Sequence, residues 1–84
     1  MGRQRRPVPR LLAKKLRAIR VQLGVGQAEM ARLLNKAGPS PPDGAMVSRF
    51  ERGEREPNLF VILEYAKLAE CTVEDLINDK IKWP

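Results

Sequence analysis

The sequence contains no histidine and only one cysteine, Cys71, among its 84 residues. Without histidine the chain has no Cys/His zinc site, and serine–histidine or cysteine–histidine nucleophile chemistry is excluded within it. Histidine is also the commonest general base, and a lone cysteine cannot form an intramolecular disulfide. The acidic residues fall on helix surfaces without forming a convergent acid–base pair. We therefore expect no enzyme, no cofactor and no metal site.

Long apolar runs are also missing, and the N-terminus lacks the apolar core of a signal peptide. We therefore expect no membrane span and a cytoplasmic location. The apolar content of 43% is ordinary, so one small folded domain is expected. Its bounds are residues 9–84, preceded by a basic, flexible arm at residues 1–8. The short chain and its initial methionine favour a whole protein over one domain of a longer one.

Charge is distributed unevenly along the chain. Residues 1–36 carry ten basic side chains and one acidic one (+9), whereas residues 37–84 carry six basic and nine acidic ones (−3), which sums to +6. This asymmetry indicates a polyanionic partner on one side, although a solvated tail and a soluble surface explain it equally well. In the arm, Arg3, Arg5 and Arg6 could lie along phosphates or in a minor groove, or contribute only general attraction.

Apolar residues recur at helical spacing in the first part of the chain and again near its end. The first pattern predicts a helix over residues 9–23 with Gly24 as its left-handed cap. Its remaining face is basic and reads as solvated surface: Lys14, Lys15, Arg17 and Arg20. Asn58 is expected to cap a later helix, and Thr72 to open a capping box for a short last one. The buried stripe predicted for the later helix comprises Leu59, Ile62, Leu63, Tyr65, Ala66 and Ala69.

The stretch from Gln27 to Pro57 organises the rest of the chain. It predicts one helix, a long Pro/Gly-rich turn, a second helix at about residues 44–52 with either Ser40 or Asp43 as its cap, and a tight exit at which Gly53 takes a positive φ. On the second helix, Val47 and Phe50 stand three apart on one face, as core positions do. The opposite face is small and polar and ends in an arginine, which is typical of an element laid in a groove: Gly44, Ala45, Ser48 and Arg49.

Several of these positions resemble the Cro and lambda-repressor class of helix-turn-helix proteins, including its xenobiotic-response-element type: Gln27, Ala31, Leu34, the run from Val47 to Gly53, and Pro57. The resemblance implies an all-α fold, a compact five-helix lambda-repressor-like helix-turn-helix domain with an extended turn before the recognition helix. It also favours Asp43 over Ser40 as the cap of that helix. Residues 35–42 make that turn about half a dozen residues longer than is usual in the family, a length that loop-closure entropy tolerates.

The resemblance also implies two kinds of DNA contact. Gln27, together with backbone N–H groups of its helical turn, would hold a phosphate, as would Arg52 and Arg55 in the exit turn. The residues placed at base edges are Gly44, Ala45, Ser48 and Arg49, of which Arg49 is able to pair with guanine. Local capping is the alternative for Gln27, and the neighbouring Glu54 and Glu56 weaken the positive field of the exit turn.

Gly44 and Ala45 cannot form bidentate hydrogen bonds to bases, so we expect modest sequence discrimination. DNA shape or two domains on a palindrome would supplement it. Met46 could touch a thymine methyl group or pack under the long turn. Near the C-terminus, Ile77, Ile81 and Trp83 could pack on the core or form a two-fold contact.

The expected function is double-stranded DNA binding by a transcriptional regulator, with a possible homodimer on a palindromic site. The alternative is a protein-interaction module, or an antitoxin-like partner protein, on the same fold. In that case the loop at residues 37–43 would be the docking surface. Deletion of its extra residues would distinguish a DNA-binding protein from a protein-interaction module.

Overall fold

The computed structural model describes residues 9–82, so the predicted arm at residues 1–8 and Trp83 lie outside the described residues. Five helices and no strand are found in this part of the chain. They are α1 (Leu12–Leu23), α2 (Gln27–Leu33), α3 (Gly44–Glu51), α4 (Leu59–Ala69) and α5 (Val73–Ile77). The predicted all-α, five-helix architecture with a long turn before α3 is confirmed.

Local sequence signals set most of the helix ends. The Asp43 carboxylate accepts a hydrogen bond from the backbone N–H of Met46 at 2.8 Å, so Asp43 is the cap of α3. Asn58 caps α4, and Thr72 forms a capping box with Asp75 at the start of α5. Gly24 ends α1 with φ of 75°. These predicted caps are confirmed.

The core lies where α1, α3 and α4 meet α2 and α5. Its fully buried side chains come from all five helices and from the residue that follows α2: Leu16, Ile19, Met30, Leu34, Val47, Tyr65 and Leu76. The buried stripe predicted for α4 was partly wrong, because Leu59 is 75% exposed and Leu63 43% exposed. Helix α4 faces the core through the side that carries Val61, Ile62 and Tyr65, which turns positions 59 and 63 outward.

The start of α1 and the end of α5 cap one another. Leu11 is the N-cap of α1 but offers no side-chain hydrogen bond. Instead, the Asp79 carboxylate accepts from the backbone N–H groups of Arg10 at 2.8 Å and Leu11 at 3.0 Å. In return, Lys15 Nζ donates to the carbonyl oxygens of Asp75 and Asn78 at 2.7 and 3.0 Å. Lys15 is only 2% exposed, so the prediction of a solvated side chain was wrong at this position.

Candidate nucleic-acid interface

Helix α3 presents three different sides. Val47 and Phe50 point into the core, as predicted, at 0% and 4% exposure. Gly44 lies on the side that faces α2. The outward side carries Ala45 and Arg49, both exposed, with Ser48 half-buried beside them. The structure therefore brings the four predicted base-contact positions to the outward side of α3 and to its border with α2.

The N-terminal end of α3 is in close contact with α2. A Cβ atom added to Gly44 would lie 3.2 Å from the Cα of Ala28, which is backbone and cannot swing away. Glycine at this position therefore has a packing reason, because a larger side chain would push the two helices apart. The close contact with α2 is observed, whereas the place of Gly44 at a base edge stays a prediction.

The turn that precedes α3, residues 34–43, is folded back on α4. Ala37 is 1% exposed, and Gly38 has φ of 79°. A Cβ at Gly38 would lie 2.7 Å from Cγ of Phe60, so the aromatic ring covers this glycine. The turn, α3 and the start of α4 enclose a surface cavity of about 390 Å³ lined in part by Pro41, Met46 and Phe50. Met46 is half-buried against the core, in agreement with packing under the long turn.

An ion pair inside the domain joins α1, α2 and α3. Arg20 donates to both carboxylate oxygens of Glu51, from Nε at 2.7 Å and from Nη2 at 3.1 Å. Gln27 donates from Nε2 to Glu51 Oε1 at 3.2 Å. The side chains of Arg20 and Glu51 are 15% and 4% exposed, so the prediction of a solvated Arg20 was wrong. The hydrogen bond with Glu51 raises the pKa of Arg20, which keeps the guanidinium charged.

The amide of Gln27 is oriented by this pair. One N–H of Nε2 is directed to Glu51, and the amide nitrogen has a second N–H. The half-buried side chain therefore retains a donor for a phosphate at the N-terminus of α2, where backbone N–H groups and the helix dipole favour an anion. The phosphate contact of Gln27 stays a prediction, and the bond to Glu51 was not foreseen in the sequence.

Tyr65 lies beside the ion pair on the core side. Its hydroxyl group is buried and has no hydrogen-bond partner among residues 9–82. Burial, followed by the negative charge of Glu51, raises the pKa of Tyr65. The phenol of Tyr65 therefore remains neutral at neutral pH.

The basic side chains at and after the C-terminal end of α3 are exposed. Arg52 donates to Glu54 at 3.1 Å, and both side chains are more than half exposed. The side chains of Arg49 and Arg55 have no hydrogen bond or ion pair within residues 9–82. Because exposed ion pairs are weak, typically under ~1 kcal/mol, Glu54 does not prevent Arg52 from meeting an anion. The exit turn closes at Gly53, whose φ is 73° as predicted.

A search of solved structures finds a P22 c2 repressor protein in complex with a synthetic operator, crystallised in the presence of Tl⁺, at 26% sequence identity and a TM-score of 0.69. The likeness covers 83% of this chain and 97% of the repressor chain. The chain has the lambda-repressor-like helix-turn-helix fold. No protein-family profile matches the sequence, and no curated protein matches it.

Residues 9–82 contain no group of three or more cysteine and acidic side chains placed to hold a metal ion. Within these residues no helix has the length and apolar character that crossing a membrane requires. Cys71 is half-buried against the core, and burial raises the pKa of its thiol.

Proposed function

We propose that this chain binds double-stranded DNA in a sequence-specific manner and acts as a transcriptional regulator, as its xenobiotic-response-element resemblance implies. The observation that carries the proposal is the likeness to a repressor solved on operator DNA, which extends over nearly the whole repressor chain. No catalytic step or cofactor is part of the proposal. The outward side of α3 supports it, because Arg49 is exposed and has no ion-pair partner within residues 9–82.

In the proposed complex α3 lies in the major groove. Arg49 reads a guanine edge, Ser48 accepts or donates a single hydrogen bond, and the Ala45 methyl group makes an apolar contact. Gln27 binds a phosphate at the start of α2, while Arg52 and Arg55 bind phosphates on the other side of α3 and carry no sequence information.

The proposal includes a homodimer on a palindromic site. One α3 helix offers few hydrogen bonds to bases, so a second domain would multiply a weak preference. Exposed apolar side chains on α4 and α5 support pairing: Leu59, Leu63 and Ile77. A shallow surface cavity of about 630 Å³ lies among Leu59, Ile77 and Pro57. Sedimentation with and without duplex measures whether two copies assemble, and a single copy on every selected site would contradict pairing.

The first test is fluorescence anisotropy with labelled mixed genomic duplexes across a salt series. The slope of log affinity against log salt is about −0.9 per phosphate neutralised, so several phosphate contacts predict a steep line. Absence of binding at low salt would overturn the proposal. Selection from a random duplex pool then provides a preferred site for the test of base contacts.

On the selected site, Arg49→Ala is expected to lower affinity by about 1–3 kcal/mol and to relax preference at one base pair. Lys67→Ala is the matched control, because it removes the same charge from an exposed position on α4. Equal losses for the two variants would show that Arg49 contributes only charge. An unchanged base preference after Arg49→Ala would contradict its assignment.

A protein-interaction module, or antitoxin-like partner, is the second candidate, because the turn before α3 is packed on Phe60 and borders a cavity. Shortening the loop at residues 37–43 distinguishes the two. A DNA-binding protein should retain most of its phosphate-driven affinity, whereas a docking protein should lose its partner. Co-purification of a stoichiometric protein that depends on this loop would favour the second candidate.

A further inference from the structure

The cavity between the long turn and α3 owes one of its walls to the turn itself. Ser40, Pro41 and Pro42 form this wall, and all three lie in the turn at residues 34–43. The volume of about 390 Å³ is within the range of small-molecule sites, about 300–1,000 Å³. The long turn therefore creates room for a small ligand beside α3.

The floor of the cavity is apolar. Met46 and Phe50 come from α3 and Val61 comes from α4. An apolar group of a ligand would displace water from this floor, which is favourable. Ser48 and Arg49 do not line the cavity, so a ligand in it leaves the proposed base contacts uncovered.

Charges of both signs line the same cavity. Asp43 and Glu56 provide carboxylates, and Arg55 provides a guanidinium group that has no hydrogen bond or ion pair within residues 9–82. A ligand that carries only a carboxylate would face two charges of its own sign, and a ligand that carries only an ammonium group would face Arg55. A ligand that carries both groups can place each one beside an opposite charge.

Two capping side chains have hydrogen-bonding groups left for such a ligand. Asp43 Oδ1 accepts from the N–H of Met46, and Oδ2 has no donor among the described residues. Asn58 Oδ1 accepts from the N–H of Val61, and Nδ2 has no acceptor in the same part of the chain. Asp43 can therefore accept from an ammonium group, while Asn58 and Arg55 can donate to a carboxylate.

We propose that this cavity is an effector site for an amino acid with an apolar side chain. The side chain lies on Met46 and Phe50. The ammonium group meets Asp43, and the carboxylate meets Arg55 and Asn58. Because Arg55 is also the proposed partner of a DNA phosphate, the ligand lowers the affinity for DNA, and by linkage DNA lowers the affinity for the ligand by the same factor. This effect on DNA rests on the proposed function, whereas ligand binding does not.

The first test is ligand binding to the full chain without DNA, measured by titration of backbone amide NMR signals with L-phenylalanine. Three analogues each lack one part: hydrocinnamate lacks the ammonium group, phenethylamine lacks the carboxylate, and glycine lacks the apolar side chain. L-phenylalanine is expected to bind at least about tenfold more tightly than each analogue, with shifts concentrated at residues 40–46 and 55–61. L-leucine is titrated in parallel, because the floor accepts a ring or a branched chain. Absence of binding by both amino acids, or equal binding by an analogue, overturns the proposal.

Two substitutions change the charges of the site and keep the helix caps, since aspartate and asparagine cap helices equally well. Asn58→Asp sets a carboxylate against that of the ligand, and Asp43→Asn removes the charged partner of the ammonium group. Each is expected to weaken binding of L-phenylalanine by roughly tenfold. Asn35→Asp and Glu54→Gln are the matched controls, because they make the same charge changes at exposed positions that do not line the cavity. Equal losses in the controls overturn the assignment of these groups.

Anisotropy with the mixed duplexes then tests the competition for Arg55. Saturating L-phenylalanine is expected to reduce the salt slope of the unchanged protein by about 1 unit, at ~0.9 per phosphate, and glycine at the same concentration is expected to leave it unchanged. The same addition to Asn58→Asp is expected to have a much smaller effect. If the ligand binds and the slope is unchanged, the regulatory part of the proposal is overturned. If the unchanged protein binds no DNA, the proposed function has failed, and the NMR titration alone decides the ligand site.

Discussion

The two ends of α3 are held in place by different physical means. At the N-terminal end, α2 lies so close that a Cβ added to Gly44 would be 3.2 Å from the Cα of Ala28, and Asp43 provides a cap exposed to solvent. At the C-terminal end, Glu51 is hydrogen-bonded to Arg20 and Gln27 from two other helices and is almost completely buried. The first end depends on small size, the second on paired charge.

The two ends of α3 therefore have different structural roles. Close contact at Gly44 leaves no room for a side chain that could recognise a base. The start of α3 instead sets the distance between α2 and α3. The ion pair at Glu51 sets the orientation of α3 relative to α1. The proposed hydrogen bonds to bases therefore come from Ser48 and Arg49, which lie between the two ends and are subject to neither constraint.

Glu51→Ala would test the C-terminal end and has the largest expected effect. It leaves the Arg20 guanidinium, 15% exposed, without its carboxylate, and breaking such a pair from one side destabilises by about 3–5 kcal/mol. Urea denaturation measures the change. Glu54→Ala breaks the exposed pair with Arg52 and is the matched control, with an expected change under ~1 kcal/mol. Similar changes for both variants would contradict the contrast between a buried and an exposed pair.

Gly38→Ala would test the turn that leads to the N-terminal end. The positive φ costs about 1–2 kcal/mol for alanine, and displacement of the Phe60 ring adds about 0.5–1.5 kcal/mol, for a total of about 1.5–3.5 kcal/mol. Gly24→Ala is the control, because Gly24 has a similar φ of 75° with no atom near its added Cβ. The difference in destabilisation between the two variants, measured by thermal unfolding, gives the contribution of Phe60. Equal destabilisation would show that the ring moves aside at no cost.

Gly44→Leu would test the N-terminal end itself. The added side chain meets the backbone of α2, and overpacking of this kind costs about 1–2 kcal/mol. Ala45→Leu, one residue later on the exposed side, is expected to change stability by under ~0.5 kcal/mol. Chemical denaturation compares the pair. If Gly44→Leu left the free energy of unfolding unchanged, α2 and α3 could move apart without loss of stability. Small size would then not be what holds this end.

Arg52→Ala has the smallest expected effect on stability, under ~0.5 kcal/mol, because its pair with Glu54 is exposed. In DNA binding the same change is expected to reduce the salt slope by about 1 unit and to weaken all duplexes alike. Anisotropy on preferred and scrambled duplexes measures this. Loss confined to the preferred duplex would assign Arg52 to base recognition and would extend the recognising part of α3 to its C-terminal end.

Local features of the structure were predictable because their causes are local. Asp43, Asn58 and Thr72 cap helices through atoms three residues away, and Gly24 and Gly53 adopt positive φ where a helix or turn requires it. Hydrophobic spacing likewise identified Val47 and Phe50 as core residues. The face opposite Val47 and Phe50 indicated the outward side of α3, and the resemblance to a known fold supplied the five-helix arrangement.

The interactions that were missed join residues far apart in the chain. Glu51 lies 31 residues from Arg20 and Gln27 lies 24 residues from Glu51, so no helical period connects them. In the sequence, Lys15 lies on the same helix face as other basic residues. Only the three-dimensional position of α5 shows that its ammonium group donates to the carbonyl oxygen of Asp75 inside the domain. Leu59 and Leu63 fitted the helical spacing of apolar residues, but both are exposed. The rotation of α4 about its own axis depends on the helices around it, which the spacing does not reveal.

The mutual capping of α1 and α5 also has a consequence for folding and for amide hydrogen exchange. The N–H groups of Arg10 and Leu11 find their acceptor 69 and 68 residues away, so they gain protection only after the last segment has docked. Helical segments form in about a microsecond or less, whereas contacts of such long separation must wait for chain closure. These two amides would therefore be reporters of the late closure of the domain, and their exchange would follow opening of residues 78–82 rather than fraying of α1.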